Sequence, residues 1–211
     1  MATTTPNYGW DVPTSSDYVK LGAVAIETLG DDIDASLFSI TSGKNVGLVH
    51  MNTTTFTGAA LVQVDNVFTT SFNNYRLILD TTTVASAGNI TATLRTAAPA
   101  DLNAASYGYI TNGFAFSGGN TPANIGTSTG GTSAIVGFCN QNNNNLVFDL
   151  LNAPVATPTM FNGHQHSYSA SDQFAGYTAA IYKVAVAAFG IRFNLPSNAT
   201  GTLRIYGYRN S

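Results

Sequence analysis

From Lys44 onward the apolar side chains of this chain recur at every second position, a period that strands satisfy and helices do not. In residues 89–95, NITATLR, Ile90, Ala92 and Leu94 share one face, and Asn89, Thr91, Thr93 and Arg95 share the other. NNYRLILD groups Tyr75, Leu77 and Leu79, while GTLRIYGYRN sets Leu203 and Ile205 against Arg204, Tyr206 and Tyr208. These read as half-buried antiparallel strands. NVGLVHM, AIVGFC and NLVFDLL are apolar on both faces and are expected to be covered on both. Turn residues at Ser42-Gly43, Asn73-Asn74, Ala87-Gly88-Asn89, Ser117-Gly118-Gly119-Asn120, Asn142 to Asn145 and Pro196 to Gly201 divide the region into nine to eleven strands. The predicted fold class is all-β, an antiparallel, jelly-roll-like β-sandwich over residues 44–211. Residues 117–132, SGGNTPANIGTSTGGT, read as one long surface loop. No repeat of the length used by propellers or parallel β-helices is present.

The segment ahead of the sandwich has another period. Residues 1–13 form a polar arm broken by Pro6 and Pro13, with Tyr8 and Trp10 as large side chains that need cover. Thr14 followed three residues later by Asp17 fits a capping box, so a helix is expected over residues 14–40. Val19, Ile26 and Ile33 recur every seven residues with Leu29 between them, which makes a short heptad seam. Lys20, Glu27, Asp31, Asp32 and Asp34 point away from it. Gly22 and Ser36 at d positions, with Gly30, leave the seam too weak to hold a coiled coil alone, and Leu21 and Val24 add a second apolar side. Asp11, Asp17, Glu27, Asp31, Asp32 and Asp34 are six of the chain's 11 carboxylates. An acidic helix with no second helix to pack on either covers its own sheet or finds its partners in copies of itself and in a larger assembly. The second reading is preferred, with Tyr8, Trp10, Val19, Ile26, Leu29 and Ile33 as the docking and self-assembly residues.

Charged residues make up only 9% of the chain, so Asn, Thr, Ser and Gly keep its surface wet, as in many extracellular and virion β proteins. Eight Lys and Arg without a basic cluster argue against nucleic acid as a partner. No apolar run reaches the roughly 18 residues of a membrane span, and MATTTPNYGW lacks the regions of a signal peptide, so membrane insertion is not expected. Cys139 stands alone without a basic neighbour and reads as a small buried hydrophobe. The Asn-x-Thr triplets at Asn52, Asn89 and Asn198 read as chance in an Asn/Thr-rich chain.

Little here announces chemistry. His164 and His166 lie two apart, so in a strand they share a face, and three chains around an axis could offer six imidazoles to one metal ion. The plainer reading is a pair of exposed loop histidines, and no other cofactor is expected. His50, in an apolar run, reads as a core or interface histidine. Gly-x-Ser-x-Gly occurs once, as GTSTG at residues 126–130, but inside the loop-like 117–132 stretch and not between a strand and a helix as a nucleophile elbow requires, and His-Glu-x-x-His does not occur. Asp65, Asp80, Asp101, Asp149 and Asp172 include no pair that spacing marks for glycoside cleavage, and Asp149 is expected to face outward or across a subunit boundary. A non-enzymatic protein is therefore expected. Tyr107, Tyr109, Phe114, Phe116, Phe161, Tyr168, Phe174, Tyr177 and Tyr182 are interspersed with Asn, Gln and Ser. Of these, Tyr107, Tyr109, Tyr168 and Tyr177 are candidate contacts for a glycan, whose ring stacks on aromatic faces while amides bind its hydroxyls. The competing reading places them in the core or a subunit interface.

YGWDVPTSSDYVKLGAVAIETLGDDIDASL, GKNVGLVHMNTTTF, VDNVFTTSFNNYRLIL and the closing GTLRIYGYRN, within residues 8–79 and 201–210, resemble a family of phage virion proteins of tail-fibre, minor-tail or head-decoration type. Residues 81–193 lie outside the resemblance. It implies a homotrimer located in the virion, with residues 1–13 as docking arm, 14–40 as attachment and trimerisation helix and 44–211 as the displayed domain. The implied partners are other virion proteins of tail or capsid and a host cell-surface glycan. The expected function is host attachment as a tail fibre or receptor-binding protein, working through many weak contacts at once. Two alternatives remain: a capsid decoration (cement or head-fibre) protein, and a small glycan-cleaving tailspike.

Overall fold

The computed structural model describes residues 3–6, 9–12, 14, 18–41, 47–115, 121–168 and 173–209. Tyr8, Pro13, Asp17, Phe116 and Asp172 lie outside them. Two compact units divide the chain, residues 1–47 with 211 and residues 48–210.

In the first unit the arm forms a small hairpin of β1 (Thr3–Thr4) and β2 (Asp11–Val12). Thr5 N donates to the Trp10 carbonyl at 2.9 Å and Trp10 N to Thr5 Oγ1 at 3.0 Å. Gly9, at φ 67°, supplies the left-handed residue of the turn. α1 spans Val19–Thr41 and lies against β2. Its first bond runs from Gly22 N to Tyr18 O at 3.0 Å, so the helix starts several residues later than the Thr14 cap implied. Tyr18 is still non-helical, and a Thr/Ser/Asp stretch such as residues 14–17 has low intrinsic helix propensity. The apolar positions of α1 are largely open: Val19 is 93% exposed and Ile26 63%, and Val24, Ile33, Leu37 and Phe38 are exposed as well. Leu29 is half-buried.

The second unit is all-β and antiparallel throughout, with a sandwich-like arrangement of ten strands. They are β3 (Leu48–Val64), β4 (Asn74–Val84), β5 (Gly88–Arg95), β6 (Tyr107–Ala115), β7 (Thr121–Gly131), β8 (Ala134–Cys139), β9 (Asn144–Leu151), β10 (Thr159–Tyr168), β11 (Gln173–Tyr182) and β12 (Gly190–Tyr208). The 19-residue β12 is the spine. Its second half pairs with β4 and so joins the large layer β7-β6-β11-β10-β9-β4-β12. Its first half pairs with β5, which leads to β8 in a smaller layer, and β3 runs along both halves. Register shifts between Asn194 and Gly201 bend β12 from one layer into the other.

The core lies between the layers, with Tyr75, Leu77, Leu79, Ile90, Leu94, Leu150, Phe161, Phe193, Leu203 and Ile205 all buried. Each such side chain contributes roughly 1.5–3 kcal/mol on removal from water. Buried polar groups tie the layers as well. Thr111 and Thr178 donate their hydroxyls to the carbonyls of Ile135 and Val136 at 3.0 and 3.1 Å, and Phe138 N donates to Gln165 Oε1 at 2.6 Å. β8 would otherwise bury an unpaired edge against β6, β10 and β11, at a cost of about 1–3 kcal/mol per unmet group.

Four expectations need correction. Residues 121–131 form β7, paired with β6, rather than part of a loop, because a partner strand organises Thr-rich sequence that has no apolar alternation of its own. Leu48 to Met51 of the NVGLVHM run are exposed or half-buried, since they occupy a strand at the end of a layer. NLVFDLL is covered on one face alone: Leu146, Phe148 and Leu150 are buried and Val147, Asp149 and Leu151 are not. Arg95 and Thr93, expected outward, are buried.

Candidate functional site

The large layer turns one face to the core and the other outward. Along β10 the alternation is strict: Thr159, Phe161, Gly163, Gln165 and Ser167 are buried, while Met160, Asn162, His164, His166 and Tyr168 are exposed. Register across the strands sets Val147, His164, Tyr177 and Asn112 in one row. Asp80, Asn145, His166, Ala175 and Phe114 form the next. The outward face thus carries two imidazoles, exposed aromatic rings and amides side by side.

His164 and His166 share this face as their spacing implied, with ring centroids 6.4 Å apart and edge to face. Among the described residues no group of three or more His, Cys, Asp or Glu gathers around a metal-sized site, so a metal here would draw further ligands from other copies. Tyr168 and Tyr177 are 48% and 51% exposed. The other two glycan candidates are placed differently. Tyr107 is fully buried; its hydroxyl accepts from Leu94 N at 2.8 Å and its ring lies 4.7 Å from that of Tyr182. Burial pushes its hydroxyl pKa well up. As the first residue of β6 it falls on the inward parity, so it is a core residue and not a glycan contact. Tyr109, two positions on, is half-buried against the core.

Beside His166 the outward face deepens into a groove of about 480 Å³ lined by Asp80, Thr82, Asn143, Asn145, Tyr168, Gln173 and Phe174. One wall is built by the Asn run, and buried Asn144 organises it. Its Nδ2 donates to Thr81 Oγ1 at 2.8 Å and to the carbonyls of Asn140 and Asn142 at 2.9 and 2.6 Å. Its Oδ1 accepts from Asn140 N at 2.7 Å. Asn145 points outward and donates to Asp80 at 2.5 Å, while Arg204 grips the other Asp80 oxygen at 2.6 Å.

A second polar cluster stands further along the same face. Arg76 donates to both oxygens of Asp149 at 2.9 Å, Tyr208 donates its hydroxyl to the same carboxylate at 2.6 Å, and Arg76 lies 5.5 Å from the Tyr208 ring centre. Burial alone would raise the Asp149 pKa, but the hydrogen bonds from Arg76 and Tyr208 outweigh it and hold the carboxyl below its usual range. Burial and the bond to Asp149 push the Tyr208 hydroxyl up to about 12. Asp149 pairs with Arg76, which lies four residues along β4 from Asp80. That is about 13 Å at the strand rise, beyond the roughly 5–9.5 Å of glycosidase carboxylates. Each of the two acids is also held by an arginine, an arrangement suited to fixing a surface rather than moving protons.

Asp65 and Asp101 belong to a structural network. Buried Arg95 donates to Asp65 at 2.5 Å, to Asp101, and to the Pro99 carbonyl at 2.8 Å, and Arg192 also pairs with Asp101. His50 is exposed, not a core residue, because β3 lies at the end of its layer; its Nε2 meets Thr53 Oγ1 at 2.8 Å and its ring lies edge-on to Tyr206. Cys139 is fully buried as expected, and burial pushes its thiol up to about 12. The two arginine–carboxylate clamps escaped the sequence reading. Their signal was present in the outward positions of NNYRLILD and GTLRIYGYRN, but pairing each charge required the register.

No protein-family model matches this sequence, and no curated protein matches it. Among solved structures, a fructofuranosidase from Schwanniomyces occidentalis complexed with fructosylnystose aligns with 78% of this chain and 34% of its own, at 5% identity and a TM-score of 0.22. The chain therefore spans about a third of that protein, and a likeness at this level says nothing of fold or chemistry.

Proposed function

We propose that this chain is a non-enzymatic phage virion protein of tail-fibre or receptor-binding type. Its N-terminal unit assembles it into a homotrimer and attaches it to the particle, and the β unit contacts the host surface. The observation that carries the reading is the exposed apolar surface of α1. Val19, Val24, Ile26 and Ile33 together expose far more apolar side chain than an isolated acidic helix would keep in water. Copies of the same helix and a particle surface supply the missing cover, while Glu27, Asp31 and Asp34 remain at the rim. On the β unit, Tyr168, Tyr177 and Phe114 beside Asn112, Asn145 and Gln173 suit weak, repeated contacts with saccharides.

The test is the mass of the full chain in solution at micromolar concentration, with and without Ile26→Asp. Three chains are expected for the parent and fewer for the variant. A parent that runs as one chain overturns the assembly reading. Antibody labelling of intact particles then distinguishes a tail position, as proposed, from the decorated shell of a capsid protein.

A further inference from the structure

The β unit treats its strand edges unequally. β8 has its edge groups taken by Thr111, Thr178 and Gln165. β3 is left bare. Its 17 residues, LVHMNTTTFTGAALVQV, include no Lys, Arg, Asp, Glu or Pro, and among the described residues it pairs with β12 alone. Open edges recruit other strands, and stable monomers guard theirs with charge, Pro or bulges. Two such devices interrupt β3: Gly58, whose φ of 61° bends the strand, and the register shift that leaves Met51 as an extra residue between His50 and Asn52. Between them residues 52–57, about 20 Å of edge at the strand rise, are unguarded. β7, at the other end of the large layer, pairs among the described residues with β6 and is equally free of charge; it carries Pro122 and register shifts at Ile125 and at Thr129–Gly130, so Gly126 to Ser128, with Thr127 at the centre, is its regular stretch.

The two edges also match in direction. Seven strands run from β7 to β12, and β3 beside β12 is the eighth, every neighbour antiparallel. With an even number, β7 and β3 run in opposite senses. Setting β7 of another copy beside β3 therefore continues the antiparallel order and keeps the outward face outward.

We propose that the open edge of β3 is completed by β7 of a second copy of this chain, head to tail. Two neutral edges meet without like-charge repulsion, every copy carries one of each, and the arrangement leaves neither bare. Pairing of β3 with β3 would leave β7 open. Head-to-tail contacts close into a ring when their rotation allows. Closure at three rests on the proposed function; the edge pairing does not.

The test uses the full chain with Thr55→Cys, Thr127→Cys or both, exposed positions on β3 and β7, treated with a short thiol–thiol crosslinker. Cys139 is buried and stays silent. The double variant is expected to give covalent dimers and higher species on a denaturing gel, and each single variant none. Thr55→Lys is expected to weaken self-association at least about tenfold with the circular dichroism spectrum unchanged. Crosslinking by Thr55→Cys alone puts β3 against β3 and overturns the proposal, as does a double variant that is oligomeric by mass yet never crosslinks. That last result would leave the helix seam standing as the assembly contact. A monomer throughout overturns both. Crosslinks that persist when Ile26→Asp is added would establish the edge contact as independent of α1.

Discussion

Replacing Arg95 with alanine removes the centre of the network that holds the 96–105 connection against the sandwich. The Arg95 side chain is 7% exposed, Asp65 28% and Asp101 16%. Breaking a buried ion pair from one side costs about 3–5 kcal/mol, mainly because the remaining charge is stranded. Asp101 keeps Arg192 in the variant, and Asp65 reaches water, so the low end applies, about 3 kcal/mol. With a urea dependence of about 2 kcal/mol per molar for a unit of this size, the unfolding midpoint should fall by about 1.5 M. Urea titration followed by far-ultraviolet circular dichroism measures this directly. Adding Asp65→Asn to Arg95→Ala removes one stranded charge and should recover about 1 kcal/mol. Because the pair is shielded from solvent, the loss should persist in high salt. A midpoint within about 0.25 M of the parent, or a difference that high salt abolishes, would show that the network contributes no more than a surface pair.

Two further outcomes follow from the sheet. The folded carboxyl of Asp149 lies below its usual range, so its contribution is present above the unfolded pKa of about 4 and is lost as pH falls through the lower folded value. Asp149→Asn should therefore cost about 1 kcal/mol at neutral pH, kept small by the partial exposure of both partners, and the gap to the parent should close in strong acid; a gap that stays constant down to pH 2 would contradict the Arg76 clamp. A methyl group on Gly163 would strike the Phe148 side chain and the Val147 backbone, so Gly163→Ala should lower stability by about 1–3 kcal/mol in the same urea assay, and a loss under 0.5 kcal/mol would mean that the two strands pack less closely.

Much of the strand pattern was legible because a sheet with one covered face writes its period into the chain. Tyr75, Leu77 and Leu79 are buried as their alternation implied, and so are Leu203 and Ile205 opposite Arg204, Tyr206 and Tyr208. The shared face of His164 and His166 followed from spacing alone. The helix start was misplaced because Thr14 and Asp17 have the chemistry of a cap without saying that the helix begins there. β7 was missed because its Thr and Gly carry no alternation and take strand form only from β6.

Local order in the chain determined period, parity and the mostly uncharged, amide-rich surface, since each depends on neighbours two to four residues away. Only the tertiary structure decided which face of Tyr107 and Arg95 is inward, which acid meets which arginine, and which strand edges stay open. Arg76 and Asp149 are 73 residues apart in sequence and Arg204 and Asp80 are 124 apart. Contacts at that separation depend on strand order and register, which a local pattern does not encode, because the same alternation fits any neighbour in the sheet.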